Sequence, residues 1–403
     1  MNMLKRFMVV LAVCGVCQSA YGLEFQAVGN GALGVGGAGV ARTSGAMAPY
    51  WNPAGLAFAD KTVSVSVAGG VGLMPGKKLT EDLSTVSDAY NAWNKNKTSS
   101  SAELSLISSI NGISNTDNLL ATADGAVGIQ IKHFGLGVFG TFEGGATPTI
   151  TPISTSLPLP NESTLKTDLA QSRVNPRGIL LLEAPLSYGH DLDLGDYGHL
   201  GLGLTLKYLY GETTSATQSI YNSSSDSILS SSDLTKQLSK NRSGKSNFGI
   251  DLGALWKPGK MVPVPLSVGL VGKNLNAPSF TDKSGNKIPV DPQVRAGIAI
   301  SPLTWLDLTG DIDVIKNTTV VSGLRSQQLG GGAEFKPVSS LKLRVGGYTD
   351  LAQSTGAVTA GFSVGIPWIY IDIDGAYGLG SVKYDGKSYP SEAKVEFSLN
   401  FAY

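Results

Sequence analysis

The stretch that decides the fold is Glu392–Tyr403, which reads EAKVEFSLNFAY. Its apolar residues alternate strictly with polar or small ones: Val395, Phe397, Leu399, Phe401 and Tyr403 against Lys394, Glu396, Ser398, Asn400 and Ala402. A period of two places the two sets on opposite faces of a β-strand. On an exposed sheet edge of a soluble protein, such an apolar, aromatic face would promote aggregation. It is typical of a strand that closes a barrel in lipid.

About fourteen segments share this alternation and are predicted as strands. They lie at 61–73, 125–132, 134–143, 178–190, 198–213, 246–257, 264–275, 292–302, 305–316, 328–337, 341–350, 357–366, 368–380 and 391–403. An even number in this range is typical of single-chain outer-membrane barrels. The sequence therefore predicts an all-β fold, an antiparallel transmembrane β-barrel of about 14 strands. A soluble β-protein, such as a periplasmic binding or adhesion protein, would show the same alternation with its apolar face towards a core.

The predicted connections favour the membrane barrel over the soluble protein. Long loops follow the odd-numbered strands, at 74–124, 144–177, 214–245, 276–291 and 317–327. Tight turns follow the even-numbered ones, around His133, at 191–197, 258–263, 303–304 and 338–340, and at Pro367. Outer-membrane barrels sort their connections in this way, with long loops outside and the termini in the periplasm.

Aromatic residues at the strand ends give an independent indication. Trp256, Trp305, Trp368 and Tyr403 all fall at the end where the tight turns lie. Amphipathic rings are favoured at the membrane–water interface. We therefore expect these four residues to form a periplasmic aromatic girdle.

The first residues and the composition limit the class of protein. Residues 1–22 are predicted as a secretory signal, with Lys5 and Arg6 before a short apolar segment. Both cysteines, Cys14 and Cys17, lie inside it, so no disulfide is expected in the exported chain. Only 15% of the residues are charged and the net charge is zero, which excludes a strong field for nucleic acid.

Residues 23–60 precede the predicted barrel of residues 61–403 and are rich in glycine and alanine. Together with the turn at Asn52-Pro53-Ala54-Gly55, this composition suits a compact segment inside a narrow lumen. The pattern Gly29-x-Gly31-x-x-Gly34 matches a dinucleotide fingerprint, but no strand–helix–strand unit surrounds it. We interpret that match as chance.

The runs at residues 36–41 (GGAGVA) and 50–57 (YWNPAGLA) resemble the start of the FadL-type outer-membrane superfamily. Within it, the chain is most similar to the conjugal-transfer TraF-like outer-membrane proteins. The resemblance implies a 14-stranded barrel whose N-terminal segment forms a hatch in the lumen. The expected hatch residues are Gly36, Gly37, Gly39, Asn52, Pro53, Ala54 and Gly55.

The resemblance also implies two alternative functions in the outer membrane. One is the uptake or passage of hydrophobic small molecules such as long-chain fatty acids. The other is a structural role, without transport, in a conjugal transfer (TraF-like) or secretion apparatus. The expected partners are outer-membrane lipid, a hydrophobic ligand and envelope machinery proteins, with no nucleic acid.

Pro185 is a candidate lateral gate. It lies in the middle of a predicted strand, between Glu183 and Ser187 on the inward face. Proline cannot donate a ladder hydrogen bond, so a closed barrel has a weak point there. The alternative interpretation is a simple bulge without an opening.

Catalytic and metal-binding signals are weak. His133, His190 and His199 fall at predicted periplasmic turns, away from the outer rim, and are too few for a metal site. The acidic run 190–196 lacks the bidentate glutamate of a calcium loop. We therefore expect no enzyme activity, no metal and no cofactor.

The predicted lumen wall carries charges of both signs. The acidic set is Asp251, Asp307, Asp311, Asp313, Asp372 and Asp374, and the basic set is Lys207, Lys273, Arg295, Lys342 and Arg344. Mixed signs favour a plugged interior over an open ion-selective pore.

Two outer segments differ from the strand pattern. Thr80–Asn94 has helical spacing, and 215–246 is rich in serine and asparagine, which indicates a mobile surface loop.

Overall fold

The computed structural model describes residues 23–74, 79–223, 226–228, 231–283, 285, 287–321, 323–366, 368–384 and 387–403. The predicted signal segment 1–22 and the predicted turn residue Pro367 lie outside the described residues. Fourteen long strands form one sheet: β1 (Val63–Met74), β2 (Leu119–Ile131), β3 (Phe134–Thr149), β4 (Arg173–Asp193), β5 (His199–Ser215), β6 (Ser243–Lys257), β7 (Leu266–Lys273), β8 (Gln293–Leu303), β9 (Leu306–Asp313), β10 (Gln328–Val338), β11 (Leu341–Asp350), β12 (Thr355–Ile366), β13 (Ile369–Gly378) and β14 (Ala393–Ala402).

Each strand pairs antiparallel with its neighbours in the chain, and the sheet closes on itself because β14 pairs with both β13 and β1. At the seam, the backbones of Val63 and Tyr403 exchange hydrogen bonds of 3.1 and 2.8 Å. The predicted 14-stranded antiparallel barrel is confirmed. The stretch 392–403 supplies its last strand.

The two faces of the wall have opposite character. On the closing strand Val395 and Phe397 point outward and are exposed, whereas Glu396 and Ser398 point inward and are buried. The same alternation holds around the ring, where Val71, Leu206 and Tyr377 are exposed on the outside. A barrel with an apolar exterior and a polar interior is suited to lipid. The soluble alternative, which requires an apolar core inside, is wrong.

The connections are sorted as predicted. At one end, called the short-turn end, two to eight residues join successive strands. At the other, the long-loop end, all connections but the short one at 351–354 are longer, and three of them contain helices: α2 (Leu79–Lys95) and α3 (Ser100–Asn111), α4 (Glu162–Gln171), and α5 (Ser231–Lys240). A further short helix, α1 (Ala48–Trp51), precedes β1. Helix α2 confirms the helix predicted at 80–94. Within the described residues, no helix combines the length and apolar character needed to cross a bilayer.

The long-loop end is more ordered than the sequence predicts. The segment 215–246, which the sequence predicts to be a mobile surface loop, includes α5 and three short strand segments, and Tyr221 is buried. Strands β2, β3 and β4 also extend several residues beyond the predicted limits. The physical reason is a shared apolar cluster, in which α2, α3 and α4 bury residues such as Trp93, Ile107 and Leu165 against the strand ends.

Candidate functional site

Residues 23–60 lie inside the barrel, and we call this segment the plug. Leu23 packs at the long-loop end against Leu120 and Val320, and the chain leaves at the short-turn end to enter β1. Between these points it forms helical turns at Leu33–Val35, Gly45–Met47, Ala48–Trp51 and Pro53–Phe58. The plug therefore extends along the length of the lumen.

The turn at Asn52 fastens the plug to itself and to the wall. The Asn52 Nδ2 atom donates to the carbonyls of Val40 and of Ala254 on β6, both at 3.1 Å, and Oδ1 accepts from the Ala54 N–H. A Cβ added to Gly203 of β5 would lie 2.1 Å from the Ala54 nitrogen. The inward-facing glycines of the wall thus allow the plug backbone to approach closely.

The rest of the predicted hatch residues are also buried in the lumen. Pro53 starts the last turn and, like Ala54, packs against β5 and β6. A Cβ on Gly39 would lie 2.4 Å from the Trp51 ring, and one on Gly55 would lie 2.2 Å from the Thr43 carbonyl. Both positions therefore require glycine for packing.

Gly36 and Gly37 have positive φ angles of 75° and 76°. The Gly36 N–H donates to the Thr359 hydroxyl on β12 at 3.1 Å, and that hydroxyl donates to the Gly34 carbonyl. A Cβ on Gly36 would lie 2.3 Å from the Gly347 carbonyl of β11. This part of the plug rests directly on the wall backbone.

Carboxylates on the wall hold the plug by hydrogen bonds. Asp311 accepts from the N–H groups of Gly39 and Val40 at 2.7 and 2.9 Å, and Glu334 binds Arg42 at 2.8 Å. Hydrogen bonds to ionised acceptors are among the stronger ones in proteins. Such contacts can also be replaced by water, so they suit a segment that moves.

Most of the other charged residues predicted for the wall form ion pairs with one another. The pairs are Lys207 with Glu183 (2.5 Å) and Asp251 (2.9 Å), Arg295 with Asp313 (2.6 Å), Arg344 with Glu334 (2.8 Å), Asp372 (3.2 Å) and Asp374 (3.3 Å), and Lys336 with Asp307. Lys342 lies over the Tyr370 ring. The mixed charges predicted for the wall thus neutralise one another around the plug, which is the arrangement of a closed interior.

An aromatic cluster occupies the middle of the lumen. Tyr50 of the plug stacks on Phe139 of β3 with ring centroids 5.5 Å apart, and Phe25 meets Tyr50 edge-on at 5.9 Å. The Lys273 ammonium lies 3.6 Å from the Tyr50 ring centroid. Trp51 completes the cluster and donates its indole N–H to the Val28 carbonyl. The cluster combines apolar surface with a cation that faces aromatic rings.

Pro185 lies beside an interruption of the β3–β4 ladder. Pairing runs from Phe134↔Tyr188 to Leu136↔Leu186 and resumes at Phe139↔Glu183, in the same register. The two intervening rows, which include Gly137 and Pro185, are unpaired across this seam. Because the register does not shift, the feature is an interruption and not a bulge.

The long-loop mouth contains a cavity of about 1120 Å³, which we call the vestibule. It lies over β1, β2 and β11–β14. Its lining combines charged residues, among them Asp117, Lys316, Arg325, Asp350 and Glu392, with apolar ones such as Leu120 and Leu351. Leu120 also belongs to an apolar layer at the same mouth that includes Ile179, Phe280 and Val320, so the vestibule borders directly on that layer.

Comparison with protein families identifies the chain. The family described as the F plasmid transfer operon TraF protein matches residues 49–313, which is well over half of the chain and runs from the end of the plug through β9. The chain belongs to this TraF family. The predicted similarity to TraF-like proteins is confirmed. No curated protein sequence matches the chain.

Solved structures resemble this TraF-family barrel in fold. The Pseudomonas putida toluene transporter TodX has a TM-score of 0.52 at 12% identity, over 96% of this chain and 99% of that one. The CymD monoaromatic hydrocarbon channel has a TM-score of 0.51 at 12% identity, over 94% and 99%. A Pseudomonas aeruginosa FadL homologue has a TM-score of 0.47 at 13% identity, over 96% and 98%. At 12% identity, the likeness to TodX and CymD shows a shared barrel fold.

The predicted girdle residues of the TraF-family barrel all lie at the short-turn end. Trp305 and Trp368 are exposed next to their turns, and Tyr403 follows the last strand. Trp256 is half-buried and donates its indole N–H to the Tyr197 carbonyl at 2.9 Å. Their role as a membrane-interface girdle stays a prediction.

The histidines of the TraF-family barrel are separate from one another. His199 contacts Asp191 at 2.9 Å, His190 lies beside Tyr188, and His133 lies beside the Leu56 carbonyl. Among the described residues, no three or more His, Cys, Asp or Glu side chains are grouped as metal ligands.

Several functional residues of the TraF-family barrel are missing from the sequence prediction. Wall carboxylates such as Glu143, Glu183 and Glu396 bind the plug or the lumen lysines. Their signal was present, since Glu396 alternates with the outward Val395 and Phe397. The aromatic cluster had no such signal, because its contact between the plug and the wall joins Tyr50 to Phe139, more than eighty residues away in the chain.

Proposed function

We propose that the protein is an outer-membrane channel for hydrophobic small molecules, such as long-chain fatty acids, with the plug as its gate. The observation that carries the proposal is the aromatic cluster behind the interrupted β3–β4 ladder. Two fold relatives support it, because their names describe a toluene transporter and a monoaromatic hydrocarbon channel. The proposed activity is passage and not catalysis.

The geometry suggests lateral entry from the membrane. At the interruption, Gly137 presents no side chain, and the ring of Phe139 lies just inside; a Cβ on Gly137 would be 2.8 Å from it. Phe139 in turn stacks on Tyr50 of the plug. An apolar molecule leaving the acyl chains through this seam would contact aromatic rings first, and movement of the plug would release it.

The proposal includes an orientation in the membrane. The long loops face outward and the short turns face the periplasm, as in other outer-membrane barrels. Residues 1–22 would direct export and then be removed. The girdle of Trp305, Trp368 and Tyr403 would lie at the periplasmic interface.

The test is Pro185→Val in reconstituted vesicles. Valine supplies the missing N–H, so the ladder can close, and uptake of a radiolabelled long-chain fatty acid should fall at least five-fold. Pro176→Val is the matched control, because Pro176 lies in the same strand where the β3–β4 pairing is continuous. Unchanged uptake by Pro185→Val would refute lateral entry.

The family match favours a second candidate, a structural component of a conjugal transfer or secretion apparatus. The helices at the long-loop end form a folded surface that could contact other proteins. This candidate predicts co-purification with envelope machinery proteins and normal hydrophobic uptake after deletion of the gene. A loss of uptake in the deletion strain favours the channel.

A further inference from the structure

We propose that a second, polar route for small monovalent cations runs beside the plug along β14, β1 and β2. It begins in the vestibule, whose charged lining residues include Asp350 and Glu392. Its lining residues differ from those at the β3–β4 interruption. The inference therefore goes beyond the proposed passage of hydrophobic molecules and does not depend on it.

The vestibule continues inward through two small chambers. The upper chamber, of about 20 Å³, shares Tyr348, Asp350 and Glu392 with the vestibule. The lower chamber, of about 30 Å³, shares Glu24 and Lys394 with the upper one. Polar spaces of this size hold one or two water molecules each. The three cavities are thus successive neighbours that lead inward from the mouth.

Two buried carboxylate oxygens belong to residues of these chambers. Glu24 Oε1 accepts no hydrogen bond from the part of the chain that the structure describes, and Asp124 Oδ2 is buried beside the Glu396 carboxyl, to which the Asp124 carboxyl is hydrogen-bonded. Both residues line the lower chamber. A buried carboxylate oxygen without a donor is costly unless water or a cation binds it. The chamber is therefore suited to a hydrated cation.

The route reappears below the chambers as a cavity of about 190 Å³ at the short-turn end. It lies between the plug and the same wall, and Ser64, Ser66, Gln130 and Asn400 line it with polar groups. On β1 the inward residues from Gly72 to Ser64 are no larger than serine. Near Ser64 and Ser66 these small residues border the cavity, whereas the side chains of Glu396 and Lys394 lie over Gly70 and Gly72.

A single layer of residues separates the lower chamber from this cavity. On β1 the chamber lies at the level of Gly70 and the cavity at the level of Ser66, with Ala68 between them. At that layer the plug closes against the wall: a Cβ on Gly29 would lie 2.9 Å from the Ala68 Cβ and 3.0 Å from the Met47 Cε. The side chain of Met47 is flexible and is therefore the removable part of this seal.

The charges along the two chambers favour cations. The acidic lining residues are Glu24, Asp124, Asp350, Glu392 and Glu396, and the basic ones are Arg295 and Lys394. Arg295 is paired with Asp313 at 2.6 Å, and Lys394 with Glu392 at 2.8 Å. Even with one proton held between the Asp124 and Glu396 carboxyl groups, carboxylates outnumber cations in these chambers. A narrow passage with such an excess selects cations over anions.

The test uses the full-length protein in planar bilayers under a NaCl gradient. Met47→Ala should raise the single-channel conductance at least three-fold, with a reversal potential that shows sodium preferred over chloride. In the Met47→Ala background, Glu24→Gln and Asp124→Asn should each shift the reversal potential towards zero. Asp196→Asn, at an exposed short-turn position, is the matched control and should leave it unchanged.

The proposal is overturned if Met47→Ala conducts no better than the parent protein. It is also overturned if the current prefers chloride, or if neither acidic substitution alters the selectivity. Should Asp124→Asn fail to form a barrel, Glu24→Gln decides alone, because Glu24 lies in the plug and not in a strand. Fatty-acid uptake, measured in parallel, tests the proposed hydrophobic channel. Failure of one proposal can therefore be distinguished from failure of the other.

Discussion

Gly36 and Gly37 of the plug have nearly the same backbone conformation but different surroundings. Their φ angles are 75° and 76°. A Cβ on Gly36 would overlap the backbone of Gly347 and Gly331, at 2.3 and 2.6 Å, whereas one on Gly37 would meet only the end of the Gln328 side chain at 3.4 Å. Close packing against the wall therefore depends on the first glycine much more than on the second.

This difference gives a matched pair of substitutions. Gly37→Ala should cost about 1–2 kcal/mol of unfolding free energy, the strain of a left-handed alanine. Gly36→Ala adds overlap with rigid backbone, so it should cost about 1–3 kcal/mol more. Thermal unfolding in detergent measures both. Equal losses of unfolding free energy for the two variants would show that the plug does not pack closely against β10 and β11.

The helices at the long-loop end are tied together by one carboxylate. Asp226 Oδ1 accepts from the Tyr221 hydroxyl at 2.7 Å, the Tyr90 hydroxyl of α2 at 2.8 Å and the Lys166 ammonium of α4 at 2.8 Å. The hydrogen bond from Lys166, followed by those from Tyr221 and Tyr90, holds the pKa of Asp226 well below its ordinary 3.8. The folded loops therefore favour the ionised form.

Acid should loosen these helices before it affects the barrel. Because the pKa of Asp226 is lowered by folding, its contribution is complete above about pH 4 and is lost as the pH falls through the lower folded pKa. Hydrogen exchange of α2 should accelerate below pH 4 after correction for the intrinsic rate. Asp226→Asn should show fast exchange already at neutral pH, and Asp88→Asn, at an exposed position of α2, should not.

The strands were predictable because lipid on one side and a polar lumen on the other enforce a period of two. The prediction failed where that contrast ends. Towards the long-loop end of β2 and β4 the inward residues Leu120, Ile179 and Leu181 are buried in the apolar layer, so both faces of each strand are apolar there and the alternation is lost. Helix α4 has a sequence signal at its start, because Asn161 caps it by accepting from the Thr164 N–H at 2.9 Å. The sequence analysis did not predict this helix because its composition is polar.

The plug closes the barrel as a whole, so removing it should open a wide path. Deletion of residues 23–58 from the exported protein should raise the conductance in planar bilayers several-fold, because the paired wall charges would then face water. The deleted protein must retain the apparent size of a folded barrel on unheated gels. An unchanged conductance with a folded wall would show that the segment is not what blocks the lumen.

The sequence indicated which residues enter the lumen but not how they meet there. The glycine-rich composition and the turn at Asn52 pointed to a compact internal segment, since both are local properties. The contact between Lys273 and Tyr50, or between Gly29 and Glu396, joins residues hundreds of positions apart. Such pairings depend on the circumference of the barrel and on the tilt of its strands. The pattern of polar and apolar residues along the chain does not specify either.

The lengthwise course of the plug has a consequence for biogenesis. Leu23 lies at the long-loop end, yet β1 begins at the opposite end, so nearly forty residues would have to be drawn through a completed ring of strands if the ring formed first. It is simpler for the growing sheet to curl around a segment already laid along it. Joining of β14 to β1 would then be the last event. The assembly machinery would release a barrel whose lumen the plug already closes.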